Sequence, residues 1–233
     1  MARVVKEEEH AGKRAAILDV ARRLIFTKGY EQMTIQDMLD ELQISKGAFY
    51  HYFGSKQEVL EALIERIQGE VEKVLSPIVD DPELGALAKL QRFFPTLSGW
   101  KTAHRTLLLS LTRILYADDN AIFRQKTFSL TAKRMTPLLA TIIRQGLQEG
   151  VLTTSYPDEV SEVIVRMGLA LGETLAELLL APEPGPDALP RAERIVAAYT
   201  DVLECTLRVS SGSLTITDPQ MLQEWFVTPT EHA

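Results

Sequence analysis

The residues best suited to chemistry stand in one short run, Ser45-Lys46-Gly47-Ala48-Phe49-Tyr50-His51-Tyr52-Phe53. Read as a helix turning about 100° per residue, the run separates into two faces. Phe49, Tyr52 and Phe53 fall together and are expected to anchor it. Gly47, Ala48, Tyr50 and His51 fall largely opposite, with Lys46 at the N-terminal edge, where its long side chain reaches either a base edge or a phosphate. A cation, hydrogen-bonding groups and small residues on the free side of an anchored helix suit a nucleic-acid groove. Gly47 costs roughly 1 kcal/mol in helix propensity, and its use is that backbone without a side chain can approach a groove wall closely. Enzyme chemistry has little support. His10, His51, His104 and His232 show no HExxH-like spacing, Ser, His and Asp form no local motif, and no Gly-rich phosphate loop is present, so no catalytic residue, metal or cofactor is expected.

The neighbouring elements must hold that run outward. Thr34 is placed to cap a helix whose apolar side is Ile35, Met38, Leu39 and Leu42, with Asp37 as capping partner. Only Gln43 and Ile44 separate it from Ser45, which is placed to cap the next helix, Lys46 to Phe53. Helices so close must cross rather than run on, which is the helix-turn-helix plan. Upstream, Ile17, Val20, Ala21, Leu24 and Ile25 mark the buried face of a helix from Lys13 to Lys28, and Gly29 supplies a left-handed end. Downstream, Ser55-Lys56-Gln57-Glu58 reads as a capping box opening a helix that ends near Pro77. Its N-terminus, with Lys56 beside it, could hold a phosphate.

Charge is compatible with this reading once it is divided along the chain. The net charge is −7; residues 1–66 carry 10 Lys and Arg against 11 Asp and Glu, and the acidic excess lies in the remainder. Phosphate contact depends on where the charges sit. One cysteine, Cys205, excludes an intramolecular disulfide framework and suits a reducing, cytoplasmic setting. No apolar leader is apparent, and the most apolar helical run, Val160 to Ala181, is interrupted by charges, whereas a membrane span needs about 20 largely apolar residues.

The stretch GYEQMTIQDMLDELQISKGAFYHYFGSKQEVLEAL closely resembles the DNA-binding signature of the TetR family of bacterial transcriptional regulators, over roughly residues 13–66. The resemblance implies that the helix beginning at Ser45 is the recognition helix. It places Ser45, Lys46, Gly47 and Ala48 against base edges and backbone, and Thr34, Tyr50, His51 and Lys56 mainly on phosphates. The chain departs from the usual pattern at Leu39, Leu42 and Gln43, where the family has a small residue and later a turn glycine. A left-handed Gln43 costs on the order of 1 kcal/mol relative to glycine. Ala48 replaces a frequent threonine, leaving contact with a thymine methyl as its natural option.

The rest reads as all-helical. Asp81-Pro82-Glu83 is expected to open a helix through Phe94; others are expected over Thr102–Tyr116, from Asp118-Asp119-Asn120 to Glu149 with a kink at Pro137, over Pro157–Ala181, and from Arg191 to Val209 after the loop PEPGPDALP. This part more loosely resembles the ligand-binding and dimerisation domain of the same family, which implies that the last two long helices pair with their copies. Gly168 and Gly172, four apart, would let a partner helix approach, and Ala198, Leu203 and Leu207 add apolar surface; ordinary intrachain packing is the alternative. Phe94, Trp100, Phe128, Met135 and Met167 are candidate pocket residues, with His104, Arg113, Tyr116 and Asn120 as polar candidates. The expected organisation is an N-terminal arm over 1–12, a helix-turn-helix domain over 13–66, a helical ligand-binding and dimerisation domain over 67–209, and a tail over 210–233 with a short helix. The function expected is a homodimeric, ligand-responsive repressor that binds a palindromic operator in double-stranded DNA and releases it when a small molecule binds. The alternative is a helical binding protein or enzyme carrying a vestigial DNA-binding fold.

Overall fold

A computed structural model of the chain describes residues 2–181 and 187–226. Among these the regular structure is helical, without strands. The helices are α1 (Ala2–Lys28), α2 (Ile35–Leu42), α3 (Lys46–Tyr50), α4 (Lys56–Val79), α5 (Ala86–Ala103), α6 (Arg105–Leu115), α7 (Ala121–Gln148), α8 (Pro157–Leu179), α9 (Ala188–Leu207) and α10 (Pro219–Phe226). One turn of 3-10 helix, Asp118–Asn120, precedes α7. Part of the loop PEPGPDALP and the end of the tail lie outside the described residues.

The chain divides into two compact units, one holding everything up to Ile67 together with Thr106–Ile114, the other holding Gln68–Arg105 and the rest. The first unit therefore takes in nearly all of α6, which a division by chain order does not anticipate. Its core is built from Ile17, Leu18, Ala21, Leu24 and Ile25 of α1, Met38 and Leu39 of α2, Phe49 and Phe53, and Val59, Leu60, Leu63 and Ile64 of α4, all buried. Ion pairs Lys28–Asp37 at 2.7 Å, Arg66–Asp19 at 2.7 Å and Arg23–Glu41 lie on its surface.

Residues 2–12, expected as a flexible arm, extend α1. A run of mostly straight-chain charged residues has good helix propensity, and Glu9 pairs with Lys13 one turn later at 3.0 Å.

The second unit packs α7 against α8 and α5, and α8 against α9. Its core joins Leu75 and Val79 of α4, Leu90 and Phe93 of α5, Met135, Leu139, Ile142 and Ile143 of α7, Ile164 and Val165 of α8, and Leu203 and Leu207 of α9. A smaller cluster of Leu171, Val196 and Leu222 seats α10. Asp81-Pro82-Glu83 does not open a helix. The Asp81 carboxylate accepts the Glu83 N–H at 2.9 Å in a turn, and α5 begins after Gly85, where Glu149 from the end of α7 accepts the Ala86 N–H at 2.8 Å. Pro137 lies inside α7, which continues through it.

Candidate nucleic-acid interface

The outward run is fixed by caps at both helices. Thr34 Oγ1 accepts the Asp37 N–H at 3.1 Å, and Asp37 Oδ2 accepts the Thr34 N–H at 2.9 Å, a complete capping box. The Lys28 ammonium and then the two Thr34 groups hold the Asp37 carboxyl down at about 2. α2 ends on Gln43 in the left-handed region (φ 52), whose N–H donates to the Leu39 carbonyl. This is the conformation expected of a turn glycine, adopted here with a side chain. Ser45 Oγ then accepts the Ala48 N–H at 3.2 Å and starts α3.

α3 is shorter than the sequence predicts, ending at Tyr50; a further turn is closed by the Phe49 carbonyl, which accepts the N–H groups of Tyr52 and Phe53 at 2.8 and 3.1 Å. Phe49 and Phe53 are buried and anchor the element, while Tyr52 is only half-buried. Ser45, Lys46, Gly47, Ala48, Tyr50 and His51 are all exposed, as is Thr34 at the start of α2. A Cβ placed on Gly47 would meet nothing within 4 Å, so the glycine answers no packing need of the chain itself. Lys46 lies 6.0 Å from the Tyr50 ring centroid.

Lys56 sits differently from expectation. It is half-buried, its ammonium 4.2 Å from the centroid of the Tyr30 ring and donating to the Glu31 carbonyl at 3.2 Å. The neighbouring cap is also modified. Ser55 Oγ accepts the Glu58 N–H at 3.1 Å, but the Glu58 carboxylate accepts from Gly54 N–H at 2.7 Å. A carboxylate thus already occupies part of the N-terminus of α4, where the sequence suggests a phosphate. His10, which the sequence does not mark for this interface, comes to lie beside His51 and Tyr52, with ring centroids 5.5 and 4.7 Å away.

The candidate pocket residues lie along α5, α6, α7 and α8 and the turns between them. Met135 is buried in the core of the second unit, with Phe94 and Met167 packed against it. Trp100 and His104 stack at 4.2 Å, and His104 Nδ1 donates to the Trp100 carbonyl at 2.8 Å. Tyr116 lies under the Arg124 guanidinium at 4.9 Å; burial, with Glu173 and Glu177 adding to it against the opposing Arg124, pushes its hydroxyl up to about 12. Asn120 precedes α7, Phe128 is half-buried within it, and Arg113 is exposed on the part of α6 that belongs to the first unit. A groove of about 480 Å³ lies elsewhere, between α9 and residues 211–222, lined by Glu193, Val196, Thr200, Asp201, Ile216 and Leu222 among others. Its far wall runs from the irregular segment before α10 into α10 itself at Pro219 and Leu222.

Of the residues proposed to face a second copy, Gly168, Gly172 and Ala198 are exposed. Leu203 and Leu207 are corrected: both are buried in the chain's own core. Apolar surface on the same helices is supplied by Val163 and Val202, which are 57 % and 50 % exposed.

Fold and site together define a helix-turn-helix DNA-binding protein with a helical body. Residues 17–63 match the family model described as bacterial regulatory proteins, tetR family, and residues 109–175 match a tetracyclin repressor-like C-terminal domain. The HTH-type transcriptional regulator EthR of Mycolicibacterium smegmatis is 31 % identical over 194 residues, covering 82 % of this chain and 83 % of EthR. The HTH-type transcriptional repressor NemR of Escherichia coli is 25 % identical over 195 residues, covering 82 % of this chain and 97 % of NemR. Thermus thermophilus FadR, a TetR-family transcriptional repressor solved with lauroyl-CoA, superposes with a TM-score of 0.57 at 20 % identity, over 80 % of this chain and 92 % of FadR. The chain belongs to the TetR family and is a DNA-binding transcriptional regulator, in a family of regulators rather than enzymes. No helix among the described residues is long and apolar enough to cross a membrane.

Proposed function

We propose that the chain is a homodimeric, cytoplasmic repressor that binds a palindromic operator through Ser45, Lys46, Gly47, Ala48, Tyr50 and His51, and releases it when a small molecule binds the helical C-terminal part. The observation that carries the reading is the α3 face: every residue assigned to it is exposed, while Phe49 and Phe53 fix the helix from behind. Thr34 lies within the same outward surface and is assigned to phosphate. Lys56 contributes once its ammonium leaves the Tyr30 ring and the Glu31 carbonyl. A single short helix contacts few bases, so two copies reading half-sites about 34–36 Å apart give both affinity and specificity. The exposed small and apolar residues Gly168 and Gly172 of α8, with Ala198 and Val202 of α9, are the surface assigned to the second copy. The effector acts only through unequal affinity for DNA-competent and DNA-incompetent states; FadR, solved with lauroyl-CoA, is a regulator of this fold that holds a small molecule.

The test is selection of bound sequences from random duplex DNA by the full chain, followed by gel shift over a salt series. Enrichment of an inverted repeat whose binding weakens steeply with salt is expected. Absence of any enriched sequence, or binding indifferent to salt, would remove the reading.

A further inference from the structure

The extension of α1 brings a histidine to the reading head. We infer that His10 is a positioning residue of the DNA interface: it holds His51 in place through ring contacts and adds a proton-dependent charge to the phosphate-facing surface. This rests on the DNA-binding reading and deepens it.

Three aromatic rings converge there from two elements. The His10 and His51 centroids are 5.5 Å apart and edge-to-face at 80°, His10 and Tyr52 are 4.7 Å apart, and His51 and Tyr52 are 5.2 Å apart. Both histidines are exposed, and Tyr52 is half-buried behind them. His51 follows α3 directly and has no side-chain hydrogen bond to orient it among the described residues. The neighbouring rings are therefore what limits its rotation. Around the trio, Lys13 lies one turn along α1 from His10, hydrogen-bonded to Glu9, and Arg14 lies over the Phe53 ring at 5.0 Å.

Imidazoles change charge near pH 6.5. A DNA phosphate placed beside His51 is an adjacent anion that favours the charged imidazole. The complex then binds more protons than the separated partners, and affinity rises as pH falls through the histidine range. His10 so placed explains what an exposed ring at the end of a charged run does for the molecule.

The experiment uses the selected operator duplex and the full chain at fixed ionic strength between pH 5.5 and 8.5, for wild type, His10→Phe, His10→Ala and His51→Gln. The wild type is expected to bind roughly 10-fold tighter at pH 6 than at pH 8. His10→Phe keeps the ring and should retain affinity at pH 8 while flattening the pH profile; His10→Ala should lose about 3- to 10-fold at both ends, at unchanged melting temperature. Wild-type affinity and pH profile in both His10 variants would overturn the inference while leaving DNA binding intact. Failure of the wild type to enrich any duplex would overturn both.

Discussion

At Lys46 and Tyr50 the two proposed kinds of DNA contact can be told apart by measurement. Lys46 stands at the start of α3 and enters no ion pair among the described residues, so its ammonium is available to a base edge. Lys46→Ala is expected to relax preference at one position of each half-site, by about 1–3 kcal/mol against the favoured base. Tyr50, at the other end of α3 and 45 % exposed, is assigned to phosphate. Tyr50→Phe should weaken all sequences alike and leave the preferred base unchanged. Competition gel shifts against single-base variants of the operator separate these outcomes. Asp37 belongs to the same scale but acts on stability. Its carboxyl is lowered from 3.8 to about 2 in the folded chain by Lys28 and then Thr34. A carboxyl depressed on folding contributes stability above its unfolded value and loses it as pH falls through the folded one. The wild type should therefore lose stability between pH 3.8 and about 2. Asp37→Asn should be less stable at pH 7 and show a shallower acid limb there, read from urea midpoints at each pH.

Element ends show which parts of the fold are written locally. Gly146, near the end of α7, is where close packing leaves no room: a Cβ would lie 2.4 Å from Leu152 Cδ1 and 3.1 Å from the Ala86 side chain. Gly146→Ala gains about 1 kcal/mol in helix propensity, but overpacking a buried site costs typically 1–3 kcal/mol. A net loss of about 1 kcal/mol is expected, seen as a lower urea midpoint at unchanged slope. Adding Leu152→Ala should relieve part of the clash, so the two changes should be non-additive in a double-mutant cycle. The local signals read well from sequence where cap and partner are a few residues apart. Thr34 with Asp37, Ser45 with Ala48, and Gly29 and Gly150 at φ 78 and 72 all sit as their types demand. Signals failed where the partner is distant. The start of α5 depends on Glu149, and Asp81-Pro82 gives no hint of it. The N-terminal arm is expected to lie apart from the first helix, and its continuity with α1 is not legible from the sequence. α9 carries apolar residues on more than one side, so the choice of Leu203 and Leu207 over Val202 as surface depended on knowing what flanks the helix.

For the whole molecule the decisive quantity is the coupling of two reading heads. In the proposed dimer each head presents one short helix in a chain of net charge −7, so long-range attraction to DNA is weak and affinity is expected to depend on simultaneous engagement of both half-sites. Joining two heads raises the effective concentration of the second contact, and avidity exceeds single-site affinity by about 10²–10⁴. The surface assigned to the second copy includes Val202 of α9, whose exposure means that substitution leaves the chain's own core intact. Val202→Glu should place like charges on both sides of a self-complementary interface, because a two-fold contact presents the substitution twice. The expected variant melts like the wild type by circular dichroism, sediments as a monomer, and binds the full operator about 10²–10⁴-fold more weakly, while its affinity for an isolated half-site equals that of the wild type. A variant that stays dimeric would place the second copy on another face of the helical part. One that becomes monomeric yet keeps full operator affinity would mean that a single reading head suffices, and the requirement for spaced half-sites would fall with it.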